Sequence, residues 1–184
     1  MRDLRRNRLA LSTVVTTLII LVVSVLLAGV VSYFAINVTS TRVQEESVHI
    51  TKHHVWHNGA NRALASLMII NTGGRDLVID KISVRGQESE WNTVCYTVVD
   101  ESISDDLAYV AGIANLTEVD VGLTSNVTFA EATNDITVQS GYSIIVYINS
   151  PDSISVNDIG LTVGMTVHTS QAMYYKECNV QATA

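Results

Sequence analysis

Two spacings of apolar residues divide the chain. From Leu9 to Ile36 apolar positions follow one another almost without break over 28 residues, and no charged residue occurs before Arg42. As a helix rising ~1.5 Å per residue this stretch is about 42 Å long, more than the ~30 Å hydrocarbon core of a bilayer. It carries no Pro, and the helix is predicted to continue to residue 47, with Arg42 and Glu46 as an i,i+4 pair. From Val48 the pattern becomes short apolar runs closed by turn signals. Ser47–His57 ends in Asn58-Gly59, a hairpin signal, and Arg62–Ile70 is the return strand, followed by Asn71-Thr72-Gly73-Gly74.

Leu77–Val84 is a further strand, closed by Arg85-Gly86, and Trp91–Val98 a fourth. Glu101–Ser125 has no clear period and reads as loop with a short helix. Val127–Phe129, Ile136–Val138 and Tyr142–Ile148 read as strands, the last ended by Asn149-Ser150-Pro151-Asp152. Leu161, Val163, Met165 and Val167 alternate with Thr162, Gly164, Thr166 and His168, the cleanest period-two run in the chain. Ala172–Val180 is the last strand. Turns about every ten residues predict an all-β, immunoglobulin-like sandwich behind a long hydrophobic helix, an α+β chain. The expected organisation is 1–10 signal peptide, 11–47 helix and 48–184 sandwich.

Charge orients this layout. Arg2, Arg5, Arg6 and Arg8 precede the apolar run against Asp3 alone, and the remainder carries seven basic and 17 acidic residues, a net −10. Basic residues before the span and acidic sequence after it predict a cytoplasmic N-terminus and an exported C-terminal part. An acidic domain is a poor ligand for phosphate backbones, so no nucleic-acid partner is expected. A conventional signal peptide has an apolar region of only about 7–15 residues followed by a small-residue cleavage site. This run is longer, and Tyr33-Phe34-Ala35-Ile36 is a poor exit. Two readings remain: a plain single-pass anchor, or a class III signal, cut before the apolar stretch on the cytoplasmic side.

The run Arg5-Arg6-Asn7-Arg8-Leu9-Ala10-Leu11-Ser12-Thr13-Val14-Val15-Thr16-Thr17-Leu18-Ile19-Ile20-Leu21 resembles the start of archaeal type IV pilins. That family has a basic run, a small residue, an apolar–Ser–Pro–apolar–apolar stretch and then a long Leu/Ile/Val/Ala helix. The resemblance covers about the first forty residues. It departs at Thr13, where proline is frequent, and at Leu9, where a charge usually precedes the small residue. Bacterial type IV pilins carry an early Glu in the helix; here none occurs between Leu9 and Gln44. Leu64–Gly86, an apolar strand, Asn-Thr-Gly and a second apolar strand ending in Gly, is also similar to the family, as is Ser140-Gly141-Tyr142 through Glu177. The resemblance implies recognition by a prepilin peptidase through Arg5, Arg6, Arg8, Leu9, Ala10 and Leu11. Cleavage would fall between Leu9 and Ala10 or between Ala10 and Leu11. The Ser12–Thr17 stretch favours pilin over the Gly-rich start of archaellins.

Other candidate chemistry is sparse. His49, His53 and His57 recur every four residues with His54 adjacent, which puts three imidazoles on one strand face. Such a set can bind Zn²⁺ or Cu²⁺; the competing reading, adopted here, is a polar face or subunit contact with no metal. Asn37-Val38-Thr39, Asn115-Leu116-Thr117 and Asn126-Val127-Thr128 are N-glycosylation sequons. Cys95 and Cys178, outside the cytoplasm, are a candidate disulfide or two free thiols. No GxSxG, phosphate-binding Gly loop or Cys–His nucleophile pair occurs, so no enzyme and no cofactor are expected.

These features together predict a surface-filament subunit, an archaeal type IV pilin, that self-associates through its helix, with membrane, peptidase and assembly machinery as earlier partners and adhesion as its role. The alternative is a single-pass, membrane-anchored surface protein binding an S-layer, sugar or metal.

Overall fold

In a computed structural model, residues 2–43, 45–101, 103–111, 127–151 and 153–183 are described. The chain forms two compact units, divided after Val43. The first is one α-helix, α1, Arg2–Val43, 42 residues and so about 63 Å long. Pro is absent, and Gly29 alone lacks a side chain, so nothing in the sequence breaks the i→i−4 ladder. The helix ends earlier than residue 47. Glu46 and Ser47 bond to the second unit instead: Ser47 C=O accepts from Thr72 N–H at 2.9 Å and Glu46 Oε1 accepts from the Thr169 hydroxyl. Glu46, expected as the second member of an i,i+4 helix pair, thus lies beyond the helix and is held within the domain.

The second unit is β1 (Val48–His57), β2 (Ala63–Asn71), β3 (Leu77–Val84), β4 (Gln87–Glu88), β5 (Val94–Val99), β6 (Ala130–Glu131), β7 (Ile136–Val138), β8 (Ser143–Asn149), β9 (Thr162–Thr169) and β10 (Met173–Ala182). Hydrogen-bonded order is β4-β3-β9-β10-β1-β2-β8-β5-β6, with β7 on β3. β1 belongs to both halves. Along its length it pairs antiparallel with β2, while Val55–His57 pair parallel with Val180–Ala182 of β10. One layer is β1-β2-β8-β5 and the other β10-β9-β3-β4, the strand arrangement of an immunoglobulin-like sandwich. The α+β architecture read from the sequence is the one observed.

The core between the layers takes Val55, Ala65, Leu67 and Ile69 with Ile144, Val146 and Ile148 from one side. Ile79, Ile82, Val84, Val163, Met165 and Val167 come from the other. A second cluster lies on the opposite face of β2 and β8: Leu64, Met68, Ile145 and Tyr147, with Trp56, Cys95, Ile103 and Leu107. β2 and β8 are thus buried on both faces, which explains their unbroken apolar sequence. β9 buries one face only and alternates.

Turn chemistry follows local sequence with one difference. Arg85 (φ 52°) and Gly86 (φ 81°) form the two-residue loop between Val84 and Gln87, both left-handed as a type I′ hairpin requires. The Asn58-Gly59 hairpin forms, but with a five-residue loop: His57 pairs with Ala63, and Asn58 Oδ1 accepts from the N–H groups of Ala60, Asn61 and Arg62 at 3.0–3.2 Å. Trp91–Thr93, read as strand, is a single 3-10 turn, and β5 begins at Val94.

Arg85 also pairs with Asp158, Nη1 to Oδ1 at 2.7 Å, while Ser155 donates its N–H and hydroxyl to Asp158 Oδ2 at 2.8 and 2.7 Å. The Ser155 hydroxyl and N–H bonds, with Arg85, hold this carboxyl below the ordinary carboxylate range. A lowered folded-state pKa contributes stability above the unfolded value of about 3.9, lost as pH falls through the folded value. Asp158→Asn is expected to lower the thermal midpoint at pH 7. The gap from the parent should close as pH is lowered below about 4; a gap that stays constant with pH would contradict this account.

Candidate functional site

The residues that carry the strongest functional signal lie on α1. Leu11–Thr41 is 31 residues long, with mean hydropathy 2.9, and every side chain in it is exposed. By length and composition it is able to cross a membrane. Four of its hydroxyls bond back to the helix. Thr16 Oγ1 donates to Ser12 C=O at 2.9 Å, Thr17 Oγ1 to Val14 C=O at 2.9 Å and Ser24 Oγ to Ile20 C=O at 2.7 Å. Thr41 Oγ1 does the same to Asn37 C=O at 2.9 Å. These four hydroxyls are satisfied by the helix itself, and between Thr17 and Ser32 the surface presented outward is otherwise almost wholly apolar. An exposed apolar surface of this extent marks contact with lipid or with other chains.

The backbone of Arg5, Arg6, Arg8, Leu9, Ala10 and Leu11 belongs to the same unbroken helix. Asn37 also lies within it, inside the membrane-length span, with its own C=O engaged by Thr41. The sequons at Asn115 and Asn126 lie outside the described residues.

Cys95 and Cys178 are free thiols. In the strand order β1, β2 and β8 stand between β10, which carries Cys178, and β5, which carries Cys95. Cys95 packs in the second cluster and Cys178 against the inter-layer core, so the two sulfurs face different apolar groups rather than each other. Burial raises the Cys178 thiol to about 11, and burial together with Glu131 raises Cys95. Neither is poised as a nucleophile or ligand.

The histidines do not share a face. A bulge between Thr51 and His54, with Lys52 at φ 50°, reverses the alternation of β1. Ile50 before it and Val55 after it both enter the inter-layer core. His53 Nε2 donates to Glu177 C=O at 3.0 Å, and buried His57 accepts at Nδ1 from Gly59 N–H at 3.0 Å. His54 lies on the other side, stacked on Trp56 at 5.1 Å, with Nε2 2.9 Å from Asp106 Oδ1. His49 is exposed. Among the described residues no group of three His, Cys, Asp or Glu side chains is placed to hold a metal.

What sequence reading passed over is the segment 103–111, which has no period yet covers the outer face of β2 and β8. Lys52 Nζ donates to Ser104 C=O at 3.0 Å and also to Asp105 C=O; Tyr147 Oη donates to Ala108 C=O at 2.9 Å, and Arg62 to Ala111 C=O at 2.6 Å. Partial burial acts to raise the Asp106 carboxyl, but the His54 hydrogen bond and charge, Leu107 N–H and Lys52 outweigh it and hold it low. At one end of this cover a cleft of about 440 Å³ has Met68, Ile70 and Ile103 as an apolar floor. Asp100 and Glu101 face it together with His49 and Lys52, so its charges oppose and favour no one ligand charge.

No family model and no curated protein matches the chain. Among solved structures it is similar to a copper-bound PCuAC domain from PmoF2, at 13% identity and a TM-score of 0.34, over 76% of this chain and 100% of that one. A likeness at that score supports neither a fold assignment nor a ligand.

Two outcomes follow. Cys178 at about 11 rather than the ordinary 9.0 implies about a hundredfold less thiolate at pH 8. Thiol titration of the native chain should be slow and should reach two thiols on unfolding without reductant; a count of zero would establish the disulfide instead. Leu26→Arg, at the centre of the apolar span, should cost about 2.5–3.5 kcal/mol of membrane insertion and shift the chain out of the carbonate-resistant membrane fraction. Recovery of the parent chain in the carbonate-soluble fraction would mean that α1 does not insert.

Proposed function

We propose that this chain is a structural subunit of a surface filament of the archaeal type IV pilus kind. One observation carries the reading: α1 is a single uninterrupted helix whose apolar span exceeds a bilayer and whose Thr16, Thr17 and Ser24 hydroxyls are satisfied within it. Such a helix tolerates two environments. In lipid it offers a mostly apolar surface, and in a bundle the small hydroxylated positions Thr16, Thr17 and Ser24 allow close approach without stranding a hydroxyl. The basic residues ahead of the span and the likeness of Arg5–Leu21 to pilin starts add to this. The immunoglobulin-like domain is then the outer coat and the adhesive surface. Arg5, Arg6 and Arg8 serve as the recognition and orientation charges for a prepilin peptidase acting within Leu9–Leu11.

The driving force for assembly is removal of the helix from water once it leaves lipid, at about 25 cal/mol per Å² of apolar area. The competing account is an uncut single-pass anchor carrying a surface domain. The two differ in the covalent N-terminus. Filaments sheared from cells and pelleted are expected to contain this chain beginning at Ala10 or Leu11, read by mass spectrometry. An intact Met1–Arg8 segment confined to the membrane fraction would overturn the filament reading.

A further inference from the structure

Three residues after the helix, Glu45, Glu46 and Ser47, make more contacts with the domain than a tether requires. Ser47 C=O accepts from Thr72 N–H at 2.9 Å and from Thr72 Oγ1 at 3.1 Å, and the Ser47 and Thr72 hydroxyls bond at 2.9 Å. Glu46 Oε1 accepts from Thr169 Oγ1, and burial followed by the charge of nearby Glu46 pushes the Tyr174 hydroxyl up. Thr169 is itself fixed, its hydroxyl bonded to Ala172 C=O at 3.0 Å.

The surface that receives them is rigid. Asn71 is buried, donates Nδ2 to Arg75 C=O at 2.8 Å and to Val138 C=O at 3.1 Å, and accepts from Gly73 N–H at 3.0 Å. Ser140 Oγ donates to Gly73 C=O at 2.6 Å. The turn Asn71–Gly74 is thereby tied to β7 and to the start of β8 before it meets the segment. Gly73 explains its own identity here. A Cβ at this position would stand 2.8 Å from Ser47 N and 2.9 Å from Glu45 O, both backbone atoms that cannot swing aside. Gly73 does not need a left-handed φ, so the missing side chain serves the close approach alone.

We propose that the Asn71–Gly74 turn together with Thr169 and Tyr174 is a clamp that holds residues 45–47 against the domain, so that tension on the chain ahead of Glu45 enters the sandwich at the clamp and not at the first rung of β1. In sequence, position 44 alone separates the last residue of α1 from the clamped segment. The clamp itself stands without the filament reading; its use as the point where filament tension enters rests on that reading.

The test uses the full chain in detergent micelles, where assembly plays no part, and a glutamate-specific protease with cleavage sites read by mass spectrometry. The parent is expected to resist cutting after Glu45 and Glu46. Gly73→Ala should raise that rate at least about tenfold by opening the segment locally, with strand circular dichroism and the melting midpoint of the domain close to the parent. Thr72→Ala, which removes a hydroxyl and adds no bulk, should give a smaller increase at the same two bonds and guards against a Gly73→Ala chain that fails to fold. Rapid cleavage of the parent at Glu45 and Glu46, or rates unmoved by both substitutions in folded protein, would overturn the clamp.

Discussion

The domain is organised by one constraint: β2 and β8 are an antiparallel pair that must be covered on both faces. Register runs without a slip from Leu64–Asn149 to Ile70–Ser143, so no side chain can change face. Ala65, Leu67, Ile69, Ile144, Val146 and Ile148 require the second layer, and β3, β9 and β10 supply it. Leu64, Met68, Ile145 and Tyr147 require another cover, which comes from Trp56, Ile103, Leu107 and their neighbours. Burying a side chain of this size contributes about 1.5–3 kcal/mol before conformational entropy is set against it. The position of segment 103–111 is thus a consequence of sheet pairing and not of its own propensity.

That dependence decides what could be read in advance. β9 was plain because its outer face meets water, so Val163, Met165 and Val167 are buried between half-buried neighbours. β3 and its turn were equally plain, since Arg85-Gly86 has the one backbone chemistry that a two-residue hairpin needs. The cover segment was not legible, because a chain laid across a sheet has no period and its anchors, Lys52, Arg62 and Tyr147, are remote in sequence. The histidine reading failed for a related reason. A four-residue repeat keeps one strand face only if pairing is regular, and Lys52 in a left-handed conformation moves the register by one. For the helix, length and orientation signals were in the sequence, whereas its end at Val43 depended on partners 25 or more residues away, Thr72 and Thr169.

The functional reading draws on the helix and the domain in different ways. The helix contributes a long apolar surface suited to lipid or to other helices, with Thr16, Thr17 and Ser24 satisfied in either setting. Among the described residues of the domain, Cys95 is buried and Cys178 half-buried, His53 and His54 serve in separate hydrogen bonds, and the cleft beside Met68 is lined by charges of both signs. The chain after Arg8 carries a net negative charge, so copies of the domain crowded together repel one another.

The ends of the sheets bear on that crowding. The edge of β3 is closed by β4, two residues long, and by β7, three residues long, and β5 is closed by the two-residue β6. Such stubs leave few free N–H and C=O groups in line at these two edges, so a neighbouring copy gains little by continuing the sheet there.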